Sequence, residues 1–205
     1  MGILTGINTI ISDDPMLNCR FDESLCENPS SEYEILKKDV PNPALRNPFR
    51  IILDSKLSIP LDSKIVKTAT EIETIVVTSN DSFISVNQQE KIRRLKDLHV
   101  SILAVSLDEN GRIDLAEALV QLALPPYEID SILVEGGASV HDSFLRAKLA
   151  DYVYIYTAPK ILGGNNALTS VSGLGFDDPN NCPQIKICDT FKIGQDFYNE
   201  GKIEY

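Results

Sequence analysis

The chain has no tryptophan, only two histidines and two methionines, and no uninterrupted apolar run of membrane-spanning length. A transmembrane helix needs about 18 or more consecutive apolar residues, so none is expected. His99 and His141 stand alone in the sequence. They therefore offer neither a zinc cluster nor the base of a nucleophile–histidine pair. The four cysteines, at 19, 26, 182 and 188, show no Cys-x-x-Cys spacing. They read as free thiols of a reducing compartment, and no metal site is expected. Basic residues are too few and too scattered for a nucleic-acid or anionic-membrane partner: 19 Lys and Arg face 30 Asp and Glu, for a net charge of −11. An anionic small molecule would need a locally positive pocket against that field. The opening residues Met1-Gly2-Ile3-Leu4-Thr5 lack the basic region and cleavage site of a signal peptide, so a cytoplasmic location is expected.

What is present suits one α/β domain. The 205 residues are 43% hydrophobic and 24% charged, enough for one sizeable core. Ile3 to Ile11 reads as a β-branched strand ending in the polar turn Ser12-Asp13-Asp14-Pro15. The segment 21–47 is polar, with little apolar periodicity. It is expected to be a surface insertion, with a short helix around Tyr33 to Lys37. Strands follow at Phe49–Leu53, Ile75–Ser79 and Val100–Val105, with helices over Asn87–Leu98 and Ile113–Leu124. Asp151–Ala158 alternates Tyr152, Tyr154 and Tyr156 against Val153 and Ile155, the pattern of a strand with one aromatic face. Ile185–Ile193 and Phe197–Tyr205 read as a final antiparallel pair. Alternating strands and helices closed by paired strands predict a mixed sheet flanked by helices.

The stretch that organises this pattern is Ile132-Leu133-Val134-Glu135-Gly136-Gly137-Ala138-Ser139, continuing into apolar positions 140, 144, 145 and 149. That is strand, glycine turn, helix. Such a junction presents unpaired N–H groups and the positive end of a helix dipole to a phosphate, with glycines keeping Cβ atoms out of the way. The bland alternative is a plain strand-to-helix connection with Glu135 facing water.

Four ordered motifs narrow the choice. Gly6-Ile7-Asn8-Thr9-Ile10-Ile11-Ser12-Asp13-Asp14-Pro15-Met16-Leu17-Asn18-Cys19-Arg20 resembles the first signature of the riboflavin-pathway reductases, which share the dihydrofolate-reductase fold. Pro48 to Pro60, Leu133 to Ala138, and Ala158 to Gly164 resemble the three that follow. The match covers nearly the whole chain except 21–47. It implies NADPH-dependent reduction of a ribosylaminopyrimidine 5′-phosphate to the ribitylamino compound. Carried over by position, Thr9, Asp13, Ser55, Gly136, Gly137, Ala138 and Ser139 would bind NADPH. Met16, Arg20 and Glu135 would face the substrate, Arg20 on its phosphate and Glu135 as the catalytic candidate. Asn8 replaces a usual Gly, and Ser58 stands where the family often has Arg, leaving Lys56 to meet the NADPH 2′-phosphate. The resemblance also implies that the family's first strand and helix lie ahead of Met1, so that this chain is truncated and neighbouring strands keep unpaired edges. The family is usually homodimeric.

No His-x-Glu with Pro-Cys-x-x-Cys occurs, so a stand-alone reductase is expected rather than a deaminase fusion. Leu17-Asn18-Cys19-Arg20 resembles the fungal version of the family, which implies 2,5-diamino-6-ribosylamino-4(3H)-pyrimidinone 5′-phosphate as substrate. The alternatives are 5-amino-6-(5-phosphoribosylamino)uracil, a truncated nucleotide-binding module without catalysis, and a pterin reductase.

Overall fold

Five short strands, each apolar on both faces, pair in parallel, as buried βαβ strands do. They are β1 (Gly2–Gly6), β2 (Phe49–Leu53), β3 (Thr74–Ser79), β4 (Val100–Val105) and β5 (Ile132–Val134). Their order across the sheet is β4-β3-β2-β1-β5. The computed structural model describes residues 1–20, 47–83, 85–164, 167, 169–173, 175, 176 and 178–205. The expected insertion, with its helix around Tyr33 to Lys37, lies outside the described residues apart from Asn47.

Side chains alternate between faces along a strand, so each strand feeds two cores. On one side Leu4, Ile51, Ile75 and Val77 pack with Leu115, Ala118 and Leu122 of α4 (Leu115–Ala123) and with Val140 and Phe144 of α5 (Ala138–Arg146). On the other, Ile52 and Val76 pack with Ile10 of α1 (Ile7–Asp13), Ile65 and Val66 of α2 (Lys64–Lys67), and Ile92 and Leu95 of α3 (Val86–Asp97). The helix expected over Asn87–Leu98 runs one residue earlier, Val86–Asp97, and the one expected over Ile113–Leu124 is trimmed to Leu115–Ala123. Asp114 begins α4 as its N-cap, accepting from the Glu117 N–H at 3.0 Å.

The first strand is shorter than its composition implied. β1 ends at Gly6, and residues 7–13, read from sequence as strand continuing into turn, are the helix α1. Ile7 and Ile10 are three apart, one face of a helix turned onto the core, and this packing overrides the β-preference of isoleucine. Asp14 closes α1 in the left-handed region (φ 42°), its N–H donating to the Ile10 carbonyl at 3.1 Å.

The predicted mixed sheet is divided in two. The parallel strands form one sheet. β6 (Tyr152–Thr157), β7 (Gln184–Ile193) and β8 (Asp196–Glu204) form a second, antiparallel sheet ordered β6-β8-β7. Among the described residues β5 pairs with β1 alone and β6 with β8 alone. On the second sheet Tyr152, Tyr154 and Tyr156 share a face with Tyr198. Tyr198 is buried under the rings of Tyr156 and Phe191, with centroids at 4.9 and 4.6 Å.

Candidate active site

Parallel pairing brings the C-terminal tips of β2, β1 and β5 side by side along one sheet edge, where open α/β sheets bind ligands. Each tip opens into a turn carrying predicted site residues. Glu135 leaves β5 with its N–H still bonded to the Leu4 carbonyl of β1 at 2.9 Å, and its carboxylate is exposed. Gly136 and Gly137 then turn the chain with φ of 76° and 77°, a region that costs an L side chain about 1–2 kcal/mol. The bend delivers the chain into α5, whose N-cap Gly137 supplies no side-chain acceptor. The first-turn N–H groups at Ala138 and Ser139 therefore point outward with the positive end of the dipole behind them.

Thr9 meets this bend. A Cβ placed on Gly136 or Gly137 would lie 3.7 or 3.8 Å from Thr9 Oγ1, so the hydroxyl stands over the glycine turn. Thr9 and Asp13 were expected at a strand end. They lie instead one turn apart on α1, on the same helical face, with Thr9 half-buried and Asp13 exposed. Beneath the bend lies a residue that pattern reading passed over. Thr5 is fully buried on β1, its Oγ1 3.7 Å from the same Gly136 position and without a hydrogen-bond partner among the described residues. An orphaned hydroxyl, an uncapped helix start and a turn open only to glycine are what a phosphate-bearing ligand such as a dinucleotide would use. The residues present fit that group.

The β2 tip is built by a buried carboxylate. Asp54, 1% exposed, accepts from Ser58 Oγ at 2.9 Å and the Ile59 N–H at 2.7 Å. That cap fixes the turn bearing half-buried Ser55 and exposed Lys56. Along the same edge a shallow cavity of about 260 Å³ is lined by Ser79, Asn80, Asp81, Ser106 and Leu107. A larger cleft of about 460 Å³, beside Lys96, His99 and Tyr127, opens at the opposite end of β4 and touches none of the predicted residues.

Met16 and Arg20 lie on the segment leaving α1. Its fixture is Arg50, a cation within β2 that is 0% exposed. Nη1 donates to the Met16 carbonyl (3.1 Å) and Thr68 Oγ1 (2.9 Å), and Nη2 to the carbonyls of Ile65 (2.8 Å) and Ile72 (2.9 Å). Nε and Nη2 both reach Thr74 Oγ1. Burial pulls the Arg50 pKa down to about 10, against an opposing pull from Glu71. Asp14 adds a second tie, its Oδ1 accepting from the Lys64 N–H at 2.8 Å at the start of α2. Met16 is half-buried and Arg20 exposed at the end of the described segment. No described contact joins Arg20 to the glycine bend.

Helices on both faces of a parallel sheet, with a hydroxyl-bearing helix meeting an uncapped glycine bend at the strand tips, define an α/β domain with a candidate phosphate-ligand site. More narrowly, residues 1–198 match the family model described as RibD C-terminal domain, and the chain belongs to that family. It is similar to the riboflavin biosynthesis protein RibD of Actinobacillus pleuropneumoniae, 33% identical over 194 residues, covering 95% of this chain and 44% of that protein. It also resembles the 2,5-diamino-6-ribosylamino-4(3H)-pyrimidinone 5′-phosphate reductase of Archaeoglobus fulgidus, 30% identical over 175 residues, covering 85% of this chain and 68% of the relative. Among solved structures, Acinetobacter baumannii RibD superposes with a TM-score of 0.68 at 25% identity, covering 99% of this chain and 47% of that one. The chain thus spans less than half the length of the RibD proteins it matches.

Proposed function

We propose that this chain reduces the ribosylamino side chain of 2,5-diamino-6-ribosylamino-4(3H)-pyrimidinone 5′-phosphate to the ribitylamino form, with NADPH as reductant, in riboflavin biosynthesis. The observation that carries the reading is the meeting of Thr9 with the Gly136–Gly137 bend, which sets α1 beside the tip of β5. The similarity to a stand-alone reductase of that name supports the choice of substrate.

A nicotinamide cofactor held there would supply the hydride, and solvent the proton, that together convert the ring-opened imine to the ribitylamine. The chain's part is placement. Ala138 and Ser139 N–H groups, with the Ser139 and Thr9 hydroxyls, hold the phosphates, while Ser55 and Asp13 flank them along the edge. Glu135, exposed at the β5 tip, orients the substrate hydroxyls beside the reacting carbon. Arg20 binds the substrate phosphate as a charged fork, and Met16 packs beside it. Holding the two carbons about 3–3.5 Å apart supplies much of the rate, so no side-chain nucleophile is needed.

In this reading residues 1–205 act as one cytoplasmic reductase domain with 21–47 as a surface insertion. Its second sheet, with Tyr152, Tyr154 and Tyr156 each about half exposed, joins a second copy as a homodimer. The test is NADPH oxidation followed at 340 nm with the diamino substrate and, separately, with 5-amino-6-(5-phosphoribosylamino)uracil. Turnover with the first at the higher kcat/KM is expected. A preference for the uracil compound would reassign the substrate, and binding of NADPH without turnover of either would mark a non-catalytic module.

A further inference from the structure

We propose that Lys91 of α3, together with Lys56 of the β2 turn, receives the 2′-phosphate of the dinucleotide and so selects NADPH over NADH. The proposal rests on the cofactor reading above and names the residues that discriminate within it.

A 2′-phosphate needs fixed positive charge, all the more on a chain whose net charge is −11. Ser58, on the same turn, is uncharged and cannot supply it, its hydroxyl donating to Asp54 Oδ1 at 2.9 Å. The charge must come from an element docked against that turn, and α3 is docked there. Gln88 Nε2 donates to the Lys56 carbonyl at 2.9 Å, tying the first turn of α3 to the β2 tip. Leu57, held at φ 51° and 2% exposed, packs in the core beside Ile92 and Leu95 of the same helix.

Lys91 lies three residues beyond Gln88, on the same helical face. Helical side chains lean toward their N-terminus. The N-terminus of α3 follows the tip of β3, so that lean carries the Lys91 ammonium toward the strand tips. Lys91 is half-buried, and no carboxylate of the described residues lies within 4 Å of its ammonium. Its charged neighbour is Asp54, whose two oxygens are already occupied by Ser58 and Ile59. Desolvation accordingly lowers its pKa, with Asp54 only partly opposing. A half-buried cation whose counter-ion is engaged elsewhere gains from a second anion. Exposed Lys56, on the turn that Gln88 holds, supplies the other side of such a site.

The test compares dissociation constants for NADPH and NADH, from dihydronicotinamide fluorescence, in the wild type, Lys91→Met, Lys91→Gln and Lys56→Met, with apo melting temperatures alongside. The expected result is a wild-type preference for NADPH that falls about tenfold or more in either Lys91 variant. NADH affinity and apo melting temperature stay unchanged, and Ser58→Arg restores the preference in the Lys91→Met background. Lys91 variants that weaken both dinucleotides equally, or that keep the wild-type ratio, overturn the proposal while leaving the cofactor reading intact. Wild-type protein that binds both dinucleotides equally does the same. Wild-type protein that binds neither overturns both.

Discussion

Replacing Arg50 by methionine should destabilise the protein by about 2–4 kcal/mol. The figure follows from counting which acceptors lose their only donor. Thr74 Oγ1 keeps its own bond to the Ile72 carbonyl at 2.9 Å, and Thr68 Oγ1 keeps its bond to the Lys64 carbonyl at 2.8 Å, so neither site is orphaned. The Ile65 carbonyl keeps only a 3.5 Å contact to Thr74, and the Met16 carbonyl loses its guanidinium donor. One buried and one part-buried acceptor that lose their guanidinium donor cost about 1–3 kcal/mol each, and methionine returns part of that as apolar packing without a desolvated charge. Lysine should not rescue. It retains the charge to be buried, but a single ammonium lacks the planar fork that reaches Thr74 on one side and Met16 on the other. Urea unfolding followed by circular dichroism gives the midpoints, with an unchanged slope as the check that the native state is otherwise intact. Arg50→Met within 1 kcal/mol of wild type, or Arg50→Lys close to it, would refute the argument that the hydrogen-bond fork, rather than charge, holds this part of the fold.

Glu135→Gln should lower turnover while sparing NADPH binding, and Arg20→Ala should chiefly raise the substrate KM; equal losses of NADPH affinity in the two variants would contradict these roles. Gly137→Ala should weaken dinucleotide binding and cost about 1–2 kcal/mol of stability, because φ is 77° there and the new methyl would stand 3.3 Å from Val140 Cγ2; calorimetry showing wild-type affinity and stability would exclude a tight bend. Burial, with help from the Glu200 hydrogen bond, raises the Tyr198 pKa to about 12 from its usual 10. Unfolded chain therefore releases this proton near pH 10 and folded chain near 12, so its contribution is intact below pH 10 and is lost as pH climbs toward 12. The decline in urea midpoint over that window should be shallower in Tyr198→Phe, and identical slopes would show that the phenol is not held neutral by the fold.

The sequence made legible what depends on neighbours along the chain, and hid what depends on closure between distant segments. The Ile132–Val134 strand, the glycine turn and the helix after it follow from local periodicity and from glycine's tolerance of positive φ. Residues 7–13 are the instructive miss: three isoleucines and a threonine have the composition of a strand, but only the sheet surface beneath them determines that Ile7 and Ile10 share a face. Arg50 escaped for a related reason. Within Phe49 to Leu53 it looks like a polar interruption of a strand, and its burial arises only when α2 and the Met16 segment close over it from 15 and 34 residues away. Thr5 looks like any β-branched strand residue until its hydroxyl is found under Gly136 with no partner among the described residues. Asp14, read as a turn carboxylate, does accept a backbone N–H, but one 50 residues on, at the start of α2. Arg50 and Asp14 tie the chain leaving α1 to the same helix. The link between the β2 strand and the segment carrying Met16 and Arg20 is therefore carried by these two side chains, and a variant at either should disturb the Arg20 segment before the glycine bend.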